Sequence, residues 1–178
     1  MTDRYTQVVI LCEDYRHFDF VRRYLIARGG NARRIRPNVS PSGRGAGSQY
    51  VINNYPIEVR ALRSKPHIRA GLIALADADT LSTEERLRQF ERSLDEPRRN
   101  STERIAVLIP RRNVETWIYH LRGNKVDESD DYKLRVAQSD LPPAVAAFSD
   151  QCPSKSAEIA VPSLRHACNE LTAFLGKI

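Results

Sequence analysis

Three short apolar runs limit what this chain can fold into: Gln7 to Leu11 (QVVIL), Gly71 to Ala76 (GLIALA) and Ile105 to Ile109 (IAVLI). None alternates apolar with polar residues, as a strand with one wet face would. A continuous apolar run of this length reads as a strand covered on both faces, the condition of a parallel sheet packed between helices. Helical patterns lie between the runs. Phe18, Val21 and Leu25 are three and four residues apart, and Gly29-Gly30 ends that helix. Ser82-Thr-Glu-Glu85 has capping-box spacing and opens a helix with Leu87, Phe90 and Leu94 on its inner stripe. Asn113 is a cap for a helix in which Val114, Trp117, Ile118 and Leu121 stand at i, i+3, i+4 and i+7, which makes Trp117 a core residue. Ala32 to Arg36 reads as a further strand. Ser48 to about Arg63 reads as a helix that Pro56 kinks or restarts.

The resulting order is β-α-β-α-β-α-β-α followed by a helical piece. That piece has a short helix near Ala144–Phe148 and a last helix starting near Pro162-Ser163, with Leu164, Ala167, Leu171 and Phe174 inward. Such alternation predicts an α/β fold: a compact Rossmann-like parallel sheet flanked by helices, with a C-terminal helical extension. The expected organisation is one domain, an α/β core over residues 1–122 with residues 123–178 packed on it. Residues 37–47 are expected to be loop and residues 124–143 carry no clear pattern. A chain of 178 residues buries about two-thirds of its unfolded surface, and 41% hydrophobic with 28% charged residues is ordinary globular composition. No apolar run approaches the ~20 residues of a membrane span, and MTDRYTQ lacks a signal peptide's apolar region, so a cytoplasmic protein with no membrane association is expected. Three cysteines, Cys12, Cys152 and Cys168, show no CxxC spacing and are expected to be reduced packing residues. His166 and Cys168 share a helix without a second ligand pair, so no zinc site is expected.

In parallel α/β sheets, functional groups gather beyond the carboxyl ends of the strands. Glu13 lies just past the first run, after Cys12, and Asp77 and Asp79 lie just past the run that ends at Ala76. The predicted sheet brings these acids to one edge although Glu13 and Asp77 are 64 positions apart. Carboxylates gathered there repel unless a cation lies between them, and Mg2+ or Mn2+ suits oxygen ligands. In an extended segment Asp77 and Asp79 face the same way and Ala78 the other. The plainer reading is strand-end acids that begin turns or cap a helix, with Glu13 solvated at a helix N-terminus. Glu115, in the first turn of the helix after the fourth strand, is a fourth candidate near the same edge.

Net charge is +6 and the pI about 9.5. The basic residues are 23 Arg against 5 Lys, which favours a polyanionic partner such as nucleic acid. Arg111 and Arg112, after the fourth strand, are the preferred phosphate contacts. Arg44 sits in the loop Ser42-Gly-Arg-Gly-Ala-Gly47, whose backbone N–H groups are suited to phosphate, although the loop lacks the GxxxxGK[ST] pattern and does not tightly join the first strand to the first helix.

VVILCE ending at Glu13, with GLIALADAD ending at Asp77 and Asp79, resembles the Toprim domain of topoisomerases, primases and the overcoming-lysogenization-defect nucleases. IPRRNVETW, holding Glu115 and Trp117, is similar to a stretch in RloB-like Toprim proteins of phage-defence systems. The resemblance spans roughly residues 5–122. Two departures stand out. Asp14 replaces the glycine that many relatives carry after the glutamate, and the catalytic lysine of some nucleases has no clear match, Lys133 being the candidate. The resemblance implies a Mg2+-dependent endonuclease or phosphodiester-transfer subunit with Glu13, Asp77, Asp79 and Glu115 catalytic and the first three metal-binding. It also implies DNA or RNA as substrate, the effector role in a phage-defence system beside a partner ATPase, and the option of a homo-oligomer. Two alternatives compete. In haloacid-dehalogenase-like phosphatases DxD follows the first strand and continues DxDx[TV], whereas here it follows the third and reads Asp-Ala-Asp-Thr-Leu. A non-catalytic nucleic-acid or partner-binding subunit with a degenerate site is the other.

Overall fold

The structure, a computed structural model, describes residues 6–43, 45–95 and 97–178. Strands β1 (Gln7–Cys12), β2 (Ile35–Val39), β3 (Ala70–Leu75) and β4 (Ile105–Leu108) are joined by helices α1 (Tyr15–Ala27), α2 (Gly47–Arg63) and α3 (Thr83–Ser93). Helices α4 (Val114–Leu121), α5 (Leu141–Gln151) and α6 (Pro162–Leu175) follow β4. The sheet is parallel throughout, in the order β2-β1-β3-β4. This is the expected Rossmann-like α/β architecture with a C-terminal helix.

The chain steps from β1 outward to β2, then reverses across β1 to β3 and on to β4. Crossovers of one hand require the covering helix to change faces when the direction reverses. Accordingly α1 packs with α4, α5 and α6 over Val8, Ile10, Cys12, Ile73 and Leu75, while α2 and α3 cover the other face over Leu11, Leu72, Ala74 and Val107. Tyr55 of α2 meets Phe90 of α3 edge-on, with ring centroids 5.0 Å apart. Both faces of β3 are therefore dry, which accounts for its unbroken apolar run.

The helix signals act as read. Ser82 Oγ accepts the Glu85 N–H (3.1 Å), and the Glu85 carboxylate accepts the Ser82 N–H (2.7 Å). Helix α1 closes with Gly30 N–H to Leu25 O (2.8 Å) and Gly29 N–H to Ile26 O (2.9 Å), the paired bonds of a Schellman motif. Trp117 is fully buried and its indole N–H donates to Ser163 Oγ (2.8 Å).

Four readings change. Pro37, Asn38 and Val39 belong to β2 rather than to a loop, pairing with Ile10, Leu11 and Cys12. Proline is tolerated because β2 is an edge strand with one side unpaired. Residues Ala32–Arg34 form a 3-10 turn instead of the start of that strand. Asn113 occupies the N-cap of α4 without a capping bond from its side chain, whose Nδ2 donates to Asp131 Oδ1 (2.9 Å). Cys152 and Cys168 form a disulfide, with Cα atoms 5.7 Å apart, instead of standing as reduced packing residues. They are 16 positions apart on the end of α5 and in α6, so the pairing follows from helix packing and leaves no CxxC signal. Cys12 is a free, buried thiol whose pKa burial pushes upward. No helix among the described residues is long and apolar enough to cross a membrane.

The outer edge of β4 is protected by side chains. Glu170 of α6 accepts the Val107 N–H (2.8 Å), and Arg99 donates to Ile105 O (3.3 Å) and to the same Glu170 carboxylate (2.6 Å). A half-buried carboxylate and guanidinium thus take hydrogen bonds that a fifth strand would otherwise take.

Candidate active site at the carboxyl edge of the sheet

The reversal of strand order falls between β1 and β3, which pair Cys12 with Leu75. In open α/β sheets the crevice beyond the carboxyl ends at such a switch point is where ligands bind. Glu13 leaves β1 there and Asp77 leaves β3 there. The Asp77 N–H donates to Glu13 Oε1 at 2.7 Å, closing the 64-residue gap with one bond. Asp77 is 4% exposed.

Glu13 is held by the turn into α1. Asp14, the N-cap of α1, has φ −150° and its carboxylate accepts the His17 N–H (2.9 Å). Extended backbone of this kind is open to any residue, so Asp14 fits where the resemblance expects glycine. On the other side, α2 begins against Glu13. A Cβ on Gly47 would lie 2.8 Å from Glu13 Cβ and 3.0 Å from Oε2. Only glycine lets the first turn of α2 approach this closely.

Each acid has a protein partner. His17, fully buried, sets Nε2 3.0 Å from Asp77 Oδ1. Arg86 donates Nε to Asp77 O (2.9 Å) and Nη2 to Asp79 Oδ2 (3.2 Å). Arg16 donates to Glu115 Oε1 (2.6 Å), and Glu115 is 5% exposed. The aspartates do not face one way. Asp79 has φ +55°, which turns its half-exposed side chain toward Arg86, while Ala78 is buried in the core. Asp79 N–H donates to Arg112 O (3.1 Å) and Ala78 N–H to Pro110 O (2.8 Å), so the two post-strand turns are laced together. Arg112 itself has φ +67°. Two non-glycine residues in left-handed backbone, bonded to each other, mark stored strain of the kind that gathers at functional sites.

The electrostatics follow from burial. The Glu13 carboxyl is pushed up to about 7, by burial first and then by the Asp77 charge. Burial likewise raises Asp77. Burial works against a charged His17, but the Asp77 charge and hydrogen bond outweigh it and raise the imidazole to about 10. The direction that holds for the buried pair is retention of a proton on His17 against the Asp77 carboxylate.

The donor set suits a hard divalent cation, since its free positions are carboxylate oxygens. Among the described residues, Glu13 Oε2 and Asp77 Oδ2 have no hydrogen-bond partner. The chemistry at Glu13 and Asp77 fits such an ion. The geometry is less complete: among the described residues no group of three or more His, Cys, Asp or Glu side chains is gathered to hold a metal. Asp79 is committed to Arg86, and Glu115 to Arg16.

The basic candidates spread out. Arg111 acts electrostatically on Glu85 at the start of α3, and Arg112 reaches Asp131 at 3.8 Å. Lys133 is exposed, with its backbone N–H on Asp131 Oδ1 (2.9 Å), which brings its segment beside Asn113. Arg44 lies outside the described residues. Sequence reading passed over His17, Arg86 and Arg16. The available signal was a titratable residue on an inner stripe: His17 adjoins Phe18 on the apolar face of α1, and Arg86 lies four positions before Phe90.

The chain matches no family model, no curated protein and no solved structure. Fold and site define an α/β protein in which half-buried Glu13 meets buried Asp77 at the switch point of a parallel sheet.

Proposed function

We propose that this protein is a divalent-metal-dependent nuclease or phosphodiester-transfer subunit acting on nucleic acid. The observation that carries the reading is the meeting of Glu13 and Asp77 at the β1–β3 switch point, each with one carboxylate oxygen free of hydrogen bonds to the described residues. Glu13 and Asp77 would hold Mg2+ or Mn2+, joined by Asp79 if it leaves Arg86. The ion would supply Lewis-acid stabilisation of a phosphate and a water of lowered pKa. Glu13, whose carboxyl is pushed up to about 7 by burial and the Asp77 charge, would hold the ion as its carboxylate. Arg16 holds Glu115 beside Asp77. Arg111 and Arg112 supply positive charge at the same edge, and the excess of arginine suits a nucleic-acid backbone. The Toprim resemblance agrees with this chemistry and suggests an effector that works beside an ATPase in phage defence.

A second reading has its own observation. Each of the four acids already has a protein partner, and among the described residues no group of three is gathered, as in a non-catalytic nucleic-acid-binding subunit. Supercoiled plasmid, single-stranded DNA and total tRNA incubated with Mg2+ or Mn2+, against EDTA and Asp77→Ala, separate the two. Metal-dependent cutting lost in the variant supports the nuclease. Salt-sensitive binding with no cutting and no metal uptake supports the binding subunit.

A further inference from the structure

Metal-binding carboxylates need something that fixes their orientation, and the site contains a side chain suited to that task alone. His17 is fully buried on the inner face of α1, and its Nε2 meets Asp77 Oδ1 at 3.0 Å. Its backbone is pinned in turn, because the His17 N–H donates to the N-cap Asp14 carboxylate (2.9 Å). Asp77 is thereby held at every polar position but one. Its N–H is on Glu13, its C=O is on Arg86, and Oδ1 is on His17, which leaves Oδ2. The other ring nitrogen, His17 Nδ1, is buried with no hydrogen-bond partner among the described residues. A buried polar atom without a partner destabilises a fold, and an apolar side chain would fill the same space without that cost. Packing therefore does not account for histidine here, whereas the Asp77 contact does.

We propose that His17 is a positioning residue that orients the Asp77 carboxylate for a divalent cation, holding Oδ1 so that Oδ2 is the oxygen offered to the ion. The inference rests on the reading of Glu13 and Asp77 as metal ligands. Partners of this kind, one step removed from a metal, typically change affinity by about 10- to 100-fold.

Two amide replacements separate position from polarity. In His17→Gln the amide nitrogen reaches the place of Nε2, while in His17→Asn it reaches only the place of Nδ1. Mn2+ binding is measured by calorimetry on the full chain, with urea unfolding recorded for each variant. His17→Gln is expected to bind Mn2+ nearly as wild type does, and His17→Asn about 10- to 100-fold more weakly. Equal affinities in the two variants, whether strong or weak, overturn the positioning role. If the wild type takes up no Mn2+, the metal reading falls and this inference falls with it. Wild-type binding with indistinguishable variants removes His17 alone. Should either variant fail to fold, the wild type decides. With 15N-labelled histidine, the buried Nε2–H resonance is expected to shift as Mg2+ is added, and a resonance unchanged at saturation overturns the inference.

Discussion

Replacing Glu13 by Gln tests whether the fold tolerates an acid that it would be more stable without. The Glu13 carboxyl is pushed from its ordinary 4.5 up to about 7, by burial first and then by Asp77. The folded state therefore favours the protonated form. This contribution is fully present below the unfolded value and is lost as pH rises through the folded one. Each tenfold change is worth about 1.4 kcal/mol, so ionising Glu13 in the fold costs roughly 3 kcal/mol by pH 8. Glutamine keeps an oxygen for the Asp77 N–H and does not titrate. In EDTA, urea unfolding should give nearly equal stabilities for the two proteins at pH 4.5. Glu13→Gln should then gain on the wild type progressively toward pH 8, by up to roughly 3 kcal/mol. Mn2+ at about 1,000 times its Kd should reverse the order at pH 8, since an ion that binds only the folded state adds about 4.1 kcal/mol at that excess. Parallel pH curves for the two proteins would refute the account of Glu13 as a half-buried acid under strain from Asp77.

Other perturbations are expected to act as follows. Gly47→Ala puts a Cβ 2.8 Å from Glu13 Cβ, close to the backbone end of that side chain. It should lower stability by about 1–3 kcal/mol in thermal unfolding and weaken Mn2+ binding by calorimetry; unchanged binding would separate α2 from the site. Cys152→Ser removes a cross-link spanning 16 positions and should lower urea stability by about 3 kcal/mol, and thiol titration of unreduced, denatured wild type should find Cys12 alone. Glu170→Ala strands the Val107 N–H and Arg99 at the β4 edge. It should cost about 2–3 kcal/mol in urea unfolding, and a cost near zero would mean that water replaces the carboxylate.

How much of the site was legible depended on how far each residue's role followed from its neighbours in the chain. Glu13 and Asp77 were legible because each immediately follows an apolar run, and parallel strands send such positions to one edge. Asp79 was misjudged because the expectation assumed extended backbone, whereas its φ of +55° is imposed by lacing to the turn at Arg112. His17 and Arg86 were missed because a periodic apolar pattern registers a buried polar residue only as an interruption.

By itself the sequence determined the periodic and local features of this protein. The dry strands β1, β3 and β4 follow from unbroken apolar runs, α3 from its capping box, and the end of α1 from Gly29 and Gly30. These depend on residues within a turn or two of each other, and the hydrogen bonds and apolar contacts that favour them form over the same span. Only the tertiary structure decided the strand order that places the switch point between β1 and β3. It alone decided the pairing of Arg16 with Glu115 across 99 positions, the Glu170 clasp on the β4 edge and the Cys152–Cys168 link. Those choices depend on which helix faces which strand end, a matter of orientation over distances that no local pattern spans. They also explain why buried charges occupy positions that periodicity assigns to the core: each is stable there only because the fold brings its partner to it.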